Sequence, residues 1–253
     1  MICVEQQELK QVFNDLDTLW VLFAGCLVFL MQVGFTMLET GSVRRKNSMN
    51  IAFRNLMTTC ISALAFFLFG YALAFGESGN GFLGTSFFAL VDMHDYHSFF
   101  FQWAFAATAA TILSGAVAER TQMGAYWIAT VAMTSFIYPV VVHWAWADGG
   151  WLKQGIDGVG FLDFAGSGVD HLVGGVAGMC GAWWVGPRQH KFNAEDGSPN
   201  RIEGQSPALV SVGTTLLWLG WFGFNGGSTT CASNACSEVA SKAIVNTLLA
   251  AAT

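Results

Sequence analysis

Apolar stretches long enough to cross a lipid bilayer recur along this chain, at 19–38, 51–75, 99–118, 124–146, 164–185 and 207–225. A hydrocarbon core of about 30 Å takes about 20 helical residues to span, and in lipid a helix satisfies its own backbone polar groups. The pattern therefore predicts an all-α, polytopic membrane helix bundle, with residues 1–253 forming a single transmembrane domain. A last apolar run starts near Val239 and meets Thr253 after a rise of only about 22 Å. Its closing residues, LLAAAT, offer no polar anchor, so the chain is expected to lack a following part.

Composition agrees. With 53% hydrophobic and 11% charged residues, a water-facing surface cannot be assembled. Twenty-nine glycines against four prolines suit helices that approach closely through small residues. Gly174 with Gly178 and Gly223 with Gly227 have the spacing for such contacts. The net charge of −6 gives no basic patch for nucleic acid. The start, MICVEQQELKQVFNDLD, lacks the basic flank of a cleaved signal peptide.

Loop charges assign the sides. Arg44, Arg45, Lys46, Arg54, Arg120, Arg188, Lys191 and Arg201 fall after the first, third and fifth runs, whereas Lys10, Lys153 and Lys242 fall at the other end. The positive-inside rule then puts 1–18 outside and the 187–206 loop in the cytoplasm. The outer loops carry Glu77, Asp92, Asp95, Asp148 and Asp157, whose field draws cations. Cys3, Cys231 and Cys236 lie on this outer side, where either a disulfide or free thiols are admissible. Neither metal-ligand spacing nor a catalytic constellation is evident, so no enzyme, cofactor or metal is expected.

A few polar and aromatic residues at membrane depth carry the functional reading. Taken singly, Trp146 in HWAWADGG reads as interfacial belt, Phe105 in FQWAFAAT and Phe224 in WFGFNGGS as packing, and Ser228 as a local cap. Grouped at a pore mouth, aromatic faces and a hydroxyl would hold a small cation with about 2 kcal/mol per desolvated contact. That is far below the roughly 20 kcal/mol that an ion loses on entering low dielectric, so recruitment and crossing need different devices. His171 is the candidate for crossing. A desolvated imidazole is neutral, with one donor and one acceptor, and ionisable residues at this depth mark pathways. A hydrogen bond bridging two helices is the alternative for it. Asp163 opens the 164–185 run and reads as an N-cap that also lends negative potential to the outer mouth. Asp170 is about 100° around the helix from His171 and reads as a helix or subunit contact, or as a protonated acid. Glu39 reads as an ion-pair partner of Arg44 in preference to a member of a buried network.

Together VLFAGCLVFLMQVGFTMLETGSVRRKN, FQWAFAATAATILSGAVAER, YPVVVHWAWADGGW, DFAGSGVDHLVGGVAG and LLWLGWFGFNGGS resemble the ammonium transporter family, the Amt/Mep/Rh proteins, and its plant and algal branch in particular. The resemblance implies eleven helices in two inverted repeats of five plus one more, trimeric, with a pore in each subunit. This chain would supply the first repeat, helix six and part of helix seven. The implied recruitment site is Trp146, Ser228 and Phe105, with Asp163 beneath it. Phe105 and Phe224 would be the stacked pore gate, and His171 the first of two pore histidines. Ammonium would be bound outside, lose its proton, and cross as ammonia with the proton routed separately. The implied setting is the plasma membrane, in a homotrimer surrounded by lipid. The second histidine would lie beyond Thr253, so residues 1–253 alone are expected not to conduct. Asp170 stands where the resemblance implies an apolar residue. Other readings are an ammonium sensor or a non-conducting subunit, a retinal protein with Lys242 as its Schiff base and Asp170 as counter-ion, and a haem protein using His143 and His171. Lys242 lies too near the end of its helix for the second, and the two histidines lie at different depths for the third.

Overall fold

The computed structural model describes residues 2–253, with side chains from Gln6 onward. It contains α1 (Ile2–Ser42), α2 (Ser48–Ala65), α3 (Tyr71–Phe75), α4 (Tyr96–Ala116), α5 (Met123–Ala132), α6 (Tyr138–Trp146), α7 (Trp151–Gln154), α8 (Val173–Val185), α9 (Pro207–Gly227) and α10 (Cys236–Ala252). No strand occurs among the described residues, and five helical stretches are long and apolar enough to cross a membrane. Helix α1 continues well past both ends of its apolar run, and α10 starts three residues before Val239. Phe66–Gly70 and Met133–Ile137 are π-helical turns that join α2 to α3 and α5 to α6. A third, Ser167–Leu172, leads into α8.

Glycines decide how closely the helices pack. A Cβ on Gly213 would lie 2.5 Å from the Leu38 backbone nitrogen, and one on Gly223 would lie 2.5 Å from the Leu27 side chain. These positions, with Gly220 against Met31 and Gly227 against Ala24, press α9 onto α1. Gly174 and Gly178 do the same for α8 on α4, where added Cβ atoms would meet Ile112 and Ala116 at 2.9 Å. Both pairs recognised in the sequence thus form helix contacts. Without a hydrophobic driving force between helices in lipid, such close packing supplies much of the association energy.

The loops after α1, α4 and α8 meet around one carboxylate. Glu119 accepts hydrogen bonds from Arg44 Nε at 3.0 Å, Asn47 Nδ2 at 2.6 Å and Arg188 Nη1 at 2.7 Å. Burial disfavours its charge, but the bonds from Asn47, Arg188 and Arg44 outweigh this and hold the carboxyl at about 2. The pairing read for Arg44 is thereby corrected. Glu39 lies instead in a buried network with Arg54 Nη2 at 3.3 Å, Ser114 Oγ at 2.9 Å and Asn55 Nδ2 at 3.3 Å. Arg54, counted among the loop cations, is buried in α2, its guanidinium 4.5 Å over the Tyr126 ring. Depth explains the exchange: Glu39 lies below the loops, where only a buried cation reaches it.

Cys231 and Cys236 are joined by a disulfide across 5.6 Å between Cα atoms, whereas the Cys3 side chain lies outside the described residues. Asp17 braces the same loop, accepting from the Ala232 and Ser233 backbone N–H groups at 2.8 Å and from Ser233 Oγ at 2.9 Å.

Two outcomes test this packing. Gly213→Val should destabilise the protein in detergent by about 1–3 kcal/mol, read as an earlier loss of the monodisperse peak on heating. Glu119→Gln should also melt earlier at neutral pH. Because folding lowers this carboxyl's value, its stabilisation is complete above about 4.5, the ordinary value, and is lost as pH falls toward about 2. The gap between wild type and variant should therefore close over that interval.

Candidate functional site

The turn before α8 is built on Asp163. Its Oδ1 accepts from the N–H groups of Gly166 at 2.7 Å and Ser167 at 3.0 Å, and its Oδ2 from Gly168 and Val169 at 2.8 Å each. The carboxylate satisfies four N–H groups at a helix start that would otherwise lack partners. Asp163 thus caps the turn from three residues ahead of its N-cap, Gly166, and is not itself the N-cap residue. Gly166 sits at φ 94°, a left-handed conformation that glycine adopts without strain, and its carbonyl accepts from both Asp170 and His171 at 2.9 Å. This doubled bond widens the next turn into the π form. Asp170 points inward and is fully buried, while the His171 side chain remains 44% exposed.

The Trp146 indole N–H donates to the Asp163 carbonyl at 2.8 Å, which ties the end of α6 to the same turn. From Trp146 a row of rings runs through the molecule. Phe105 of α4 meets Trp146 edge-on at 6.1 Å, stacks on Phe224 of α9 at 3.9 Å with planes 24° apart, and Phe224 lies 5.3 Å from His171. Phe105 and Phe224 are each 1% exposed, so solvent reaches neither face of the stack.

A cavity of about 600 Å³ opens beside Trp146, Phe105, Ser228, Asp163, Phe101 and Gln102. The Ser228 hydroxyl donates to the Phe224 carbonyl at 2.7 Å, which leaves its oxygen lone pairs free to accept. A second cavity of about 590 Å³ is bordered by His171, Asn225, Lys242 and Asn246. All six residues singled out in the sequence therefore gather around one continuous set of contacts. The arrangement offers a cation an aromatic face, an acceptor hydroxyl and a fixed negative charge on one side of the Phe pair. On the other side it offers an imidazole.

The sequence reading missed Gln102, whose buried side-chain oxygen has no partner among the described residues. A polar residue inside the 99–118 run was the available signal. It also missed the part played by Lys153, which borders the first cavity and donates to the Trp146 carbonyl at 3.0 Å and to Asp148 at 2.8 Å. A loop cation gives no sign of where its long stem turns. His143 and His171, paired in the haem reading, are not brought together. His143 is buried, its Nδ1 2.9 Å from the Ala74 carbonyl, away from both cavities. Lys242 borders the His171 cavity, but Asp170 does not, so no counter-ion faces that lysine from Asp170.

Comparison with known proteins follows the same lines. The model of the Ammonium Transporter Family matches residues 19–253. Ammonium transporter 1 member 3 of Solanum lycopersicum is 49% identical over 225 residues, covering 86% of this chain and 48% of the relative. Ammonium transporter 3 of Dictyostelium discoideum is 44% identical over 215 residues, covering 85% and 49%. Among solved structures, a Sensor Amt Protein superposes with a TM-score of 0.88 at 44% identity, covering 96% of this chain and 61% of the other. Candida albicans Mep2 superposes at 0.77 and 31%, covering 89% and 50%. The chain spans about half the length of the curated relatives it matches. A helical membrane bundle with this order of motifs, matched over most of its length, belongs to the ammonium transporter family.

Proposed function

We propose that the protein carries ammonium across a membrane by recruiting the cation outside and passing uncharged ammonia inward, with the proton moving separately. The observation that carries this reading is the unbroken row Trp146, Phe105, Phe224, His171, with ring steps of 6.1, 3.9 and 5.3 Å. Trp146 and Phe105 offer π faces to the cation, and Ser228 offers an oxygen acceptor for an N–H of ammonium. Asp163 keeps a negative charge below the site without touching the substrate, because its oxygens are already committed to backbone donors.

The Phe105–Phe224 stack must part for anything to pass. A desolvated cation has no strong ligand there, whereas ammonia has lost the charge that makes entry costly. His171 can accept or donate a hydrogen bond to ammonia on the far side. Potassium is close to ammonium in size but has no proton to surrender, so it meets the full desolvation cost. The physiological form consistent with this reading is a homotrimer in the plasma membrane with its N-terminus outside, taking ammonium as substrate and needing no cofactor. The sensor reading is not favoured, since the curated relatives from Solanum lycopersicum and Dictyostelium discoideum bear transporter names.

Uptake of labelled methylammonium by cells expressing the full-length protein tests the reading. Trp146→Leu should raise the half-saturating concentration up to about 30-fold, the equivalent of a cation–π contact of about 2 kcal/mol, with a smaller effect on maximal rate. His171→Ala should cut uptake at least about tenfold or admit potassium. Wild-type uptake and selectivity in both variants would refute the assignment. Asp163→Asn replaces two of the four accepting lone-pair positions by an amide NH2, leaving buried N–H groups unpaired at about 1–3 kcal/mol each. It should lower both thermal stability and uptake, and a variant with unchanged melting would contradict the capping geometry.

A further inference from the structure

Two of the four prolines follow a serine, at Ser198-Pro199 and Ser206-Pro207, and the transport scheme uses neither serine. The fold treats them differently. Ser206 is the N-cap of α9, its Oγ accepting from the Leu209 N–H at 3.3 Å, so this oxygen is committed to the helix start. Ser198 is exposed, on a small antiparallel ladder in which Phe192 faces Pro199. The ladder is held by backbone bonds from Asn193 to the Ser198 carbonyl and from Asn200 to the Lys191 carbonyl, each 2.8 Å, and from Gly197 to the Asn193 carbonyl at 3.0 Å. An exposed ladder with so few bonds opens at little cost.

The residues that follow Ser198 complete a recognition pattern. Pro199 comes directly after the hydroxyl, and Arg201 is three residues beyond it. One class of protein kinase reads this order: a proline ring, with no N–H to satisfy, fits an apolar slot, and an anionic group pairs with the cation. Arg201 is free to be read. Its side chain is 87% exposed, and its 2.7 Å pair with Glu203 lies at the surface, where such pairs contribute little. The corresponding position after Ser206 is Leu209.

We propose that Ser198 is a phosphorylation site for a proline-directed kinase that prefers a cation three residues after the acceptor. The inference rests on placing the 187–206 loop in the cytoplasm, where ATP is available, and not on the transport scheme. In the transfer, Ser198 Oγ forms a bond to the γ-phosphorus of ATP as the bridging bond breaks. Its electron pair leaves on ADP, and the hydroxyl proton passes to the catalytic carboxylate of the kinase.

The product conflicts with the turn that holds it. Ser198 Oγ donates to Asp196 Oδ1 at 2.6 Å, and the Ser198 N–H donates to the same oxygen at 2.9 Å. Phosphoserine has lost that hydroxyl and carries a charge of about −1.5 to −2, so it repels the Asp196 carboxylate. The turn opens, and the phosphate is drawn toward Lys191, whose Nζ reaches the Asn200 carbonyl at 3.4 Å. Lys191, Arg188 and Arg120 together border a cavity of about 490 Å³. Modification thus brings an anion to a cationic hollow on the loop that Glu119 ties to its neighbours.

The test incubates purified full-length protein in detergent with ATP and a purified cyclin-dependent kinase, then maps phosphate by mass spectrometry. Phosphate should appear on Ser198, be lost in Ser198→Ala and form severalfold more slowly in Arg201→Gln. An unmodified Ser198 overturns the inference, as does an Arg201→Gln rate equal to wild type. Hydrogen exchange should be faster across 191–200 in the phosphorylated protein, and unchanged exchange overturns the opening of the turn. In sealed membrane vesicles, added kinase and ATP should label Ser198 only when the cytoplasmic face is outward. Labelling only in the opposite orientation overturns the cytoplasmic placement and with it the inference. None of these readouts measures uptake, so their failure leaves the transport reading to its own experiments.

Discussion

The site depends on one carboxylate satisfying four backbone donors. The Asp163 side chain fixes the N–H groups of residues 166–169, and its carbonyl anchors the Trp146 indole. Hydrogen bonds to an ionised acceptor are among the stronger ones available, and in a dry environment breaking them is costly. The turn therefore holds Trp146 and His171 in fixed relation. In the proposed transport scheme the same anion attracts the cation without offering it a ligand.

From that turn the geometry propagates in two directions. The π turn sends Asp170 into the bundle and His171 toward a cavity, and α8 then packs against α4 through Gly174 and Gly178. Helix α4 carries Phe105, and α9, drawn onto α1 by its glycines, carries Phe224. Close helix approach is thus a requirement of the ring stack: bulkier residues at Gly213 or Gly223 would move α9 and with it Phe224.

Much of this was legible in the sequence because lipid imposes strong rules. The order of the main helices follows from the apolar runs, although the 164–185 run forms a π turn and the 13-residue α8. Trp146, Phe105, Phe224 and Ser228 read singly as belt, packing or cap, and it was the family resemblance that grouped them with Asp163 and His171. What resisted was anything set by side-chain reach across helices. Glu39 looked closest in sequence to Arg44 but pairs with Arg54, because α1 and α2 pack side by side and bring the two together at a buried depth. Glu119 joins three loops through contacts 69 to 75 residues apart in sequence. The inward turn of Asp170 depends on a π bulge, which adds a residue without any marker in composition.

The most direct measurement of the account as a whole is electrical. In proteoliposomes containing the full-length protein, equal inward gradients of ammonium and of potassium would be imposed in turn and the current recorded. The proposed path, which strips the proton before nitrogen crosses, predicts a clear ammonium response and a potassium current indistinguishable from protein-free liposomes. A potassium current comparable to that of ammonium would contradict it.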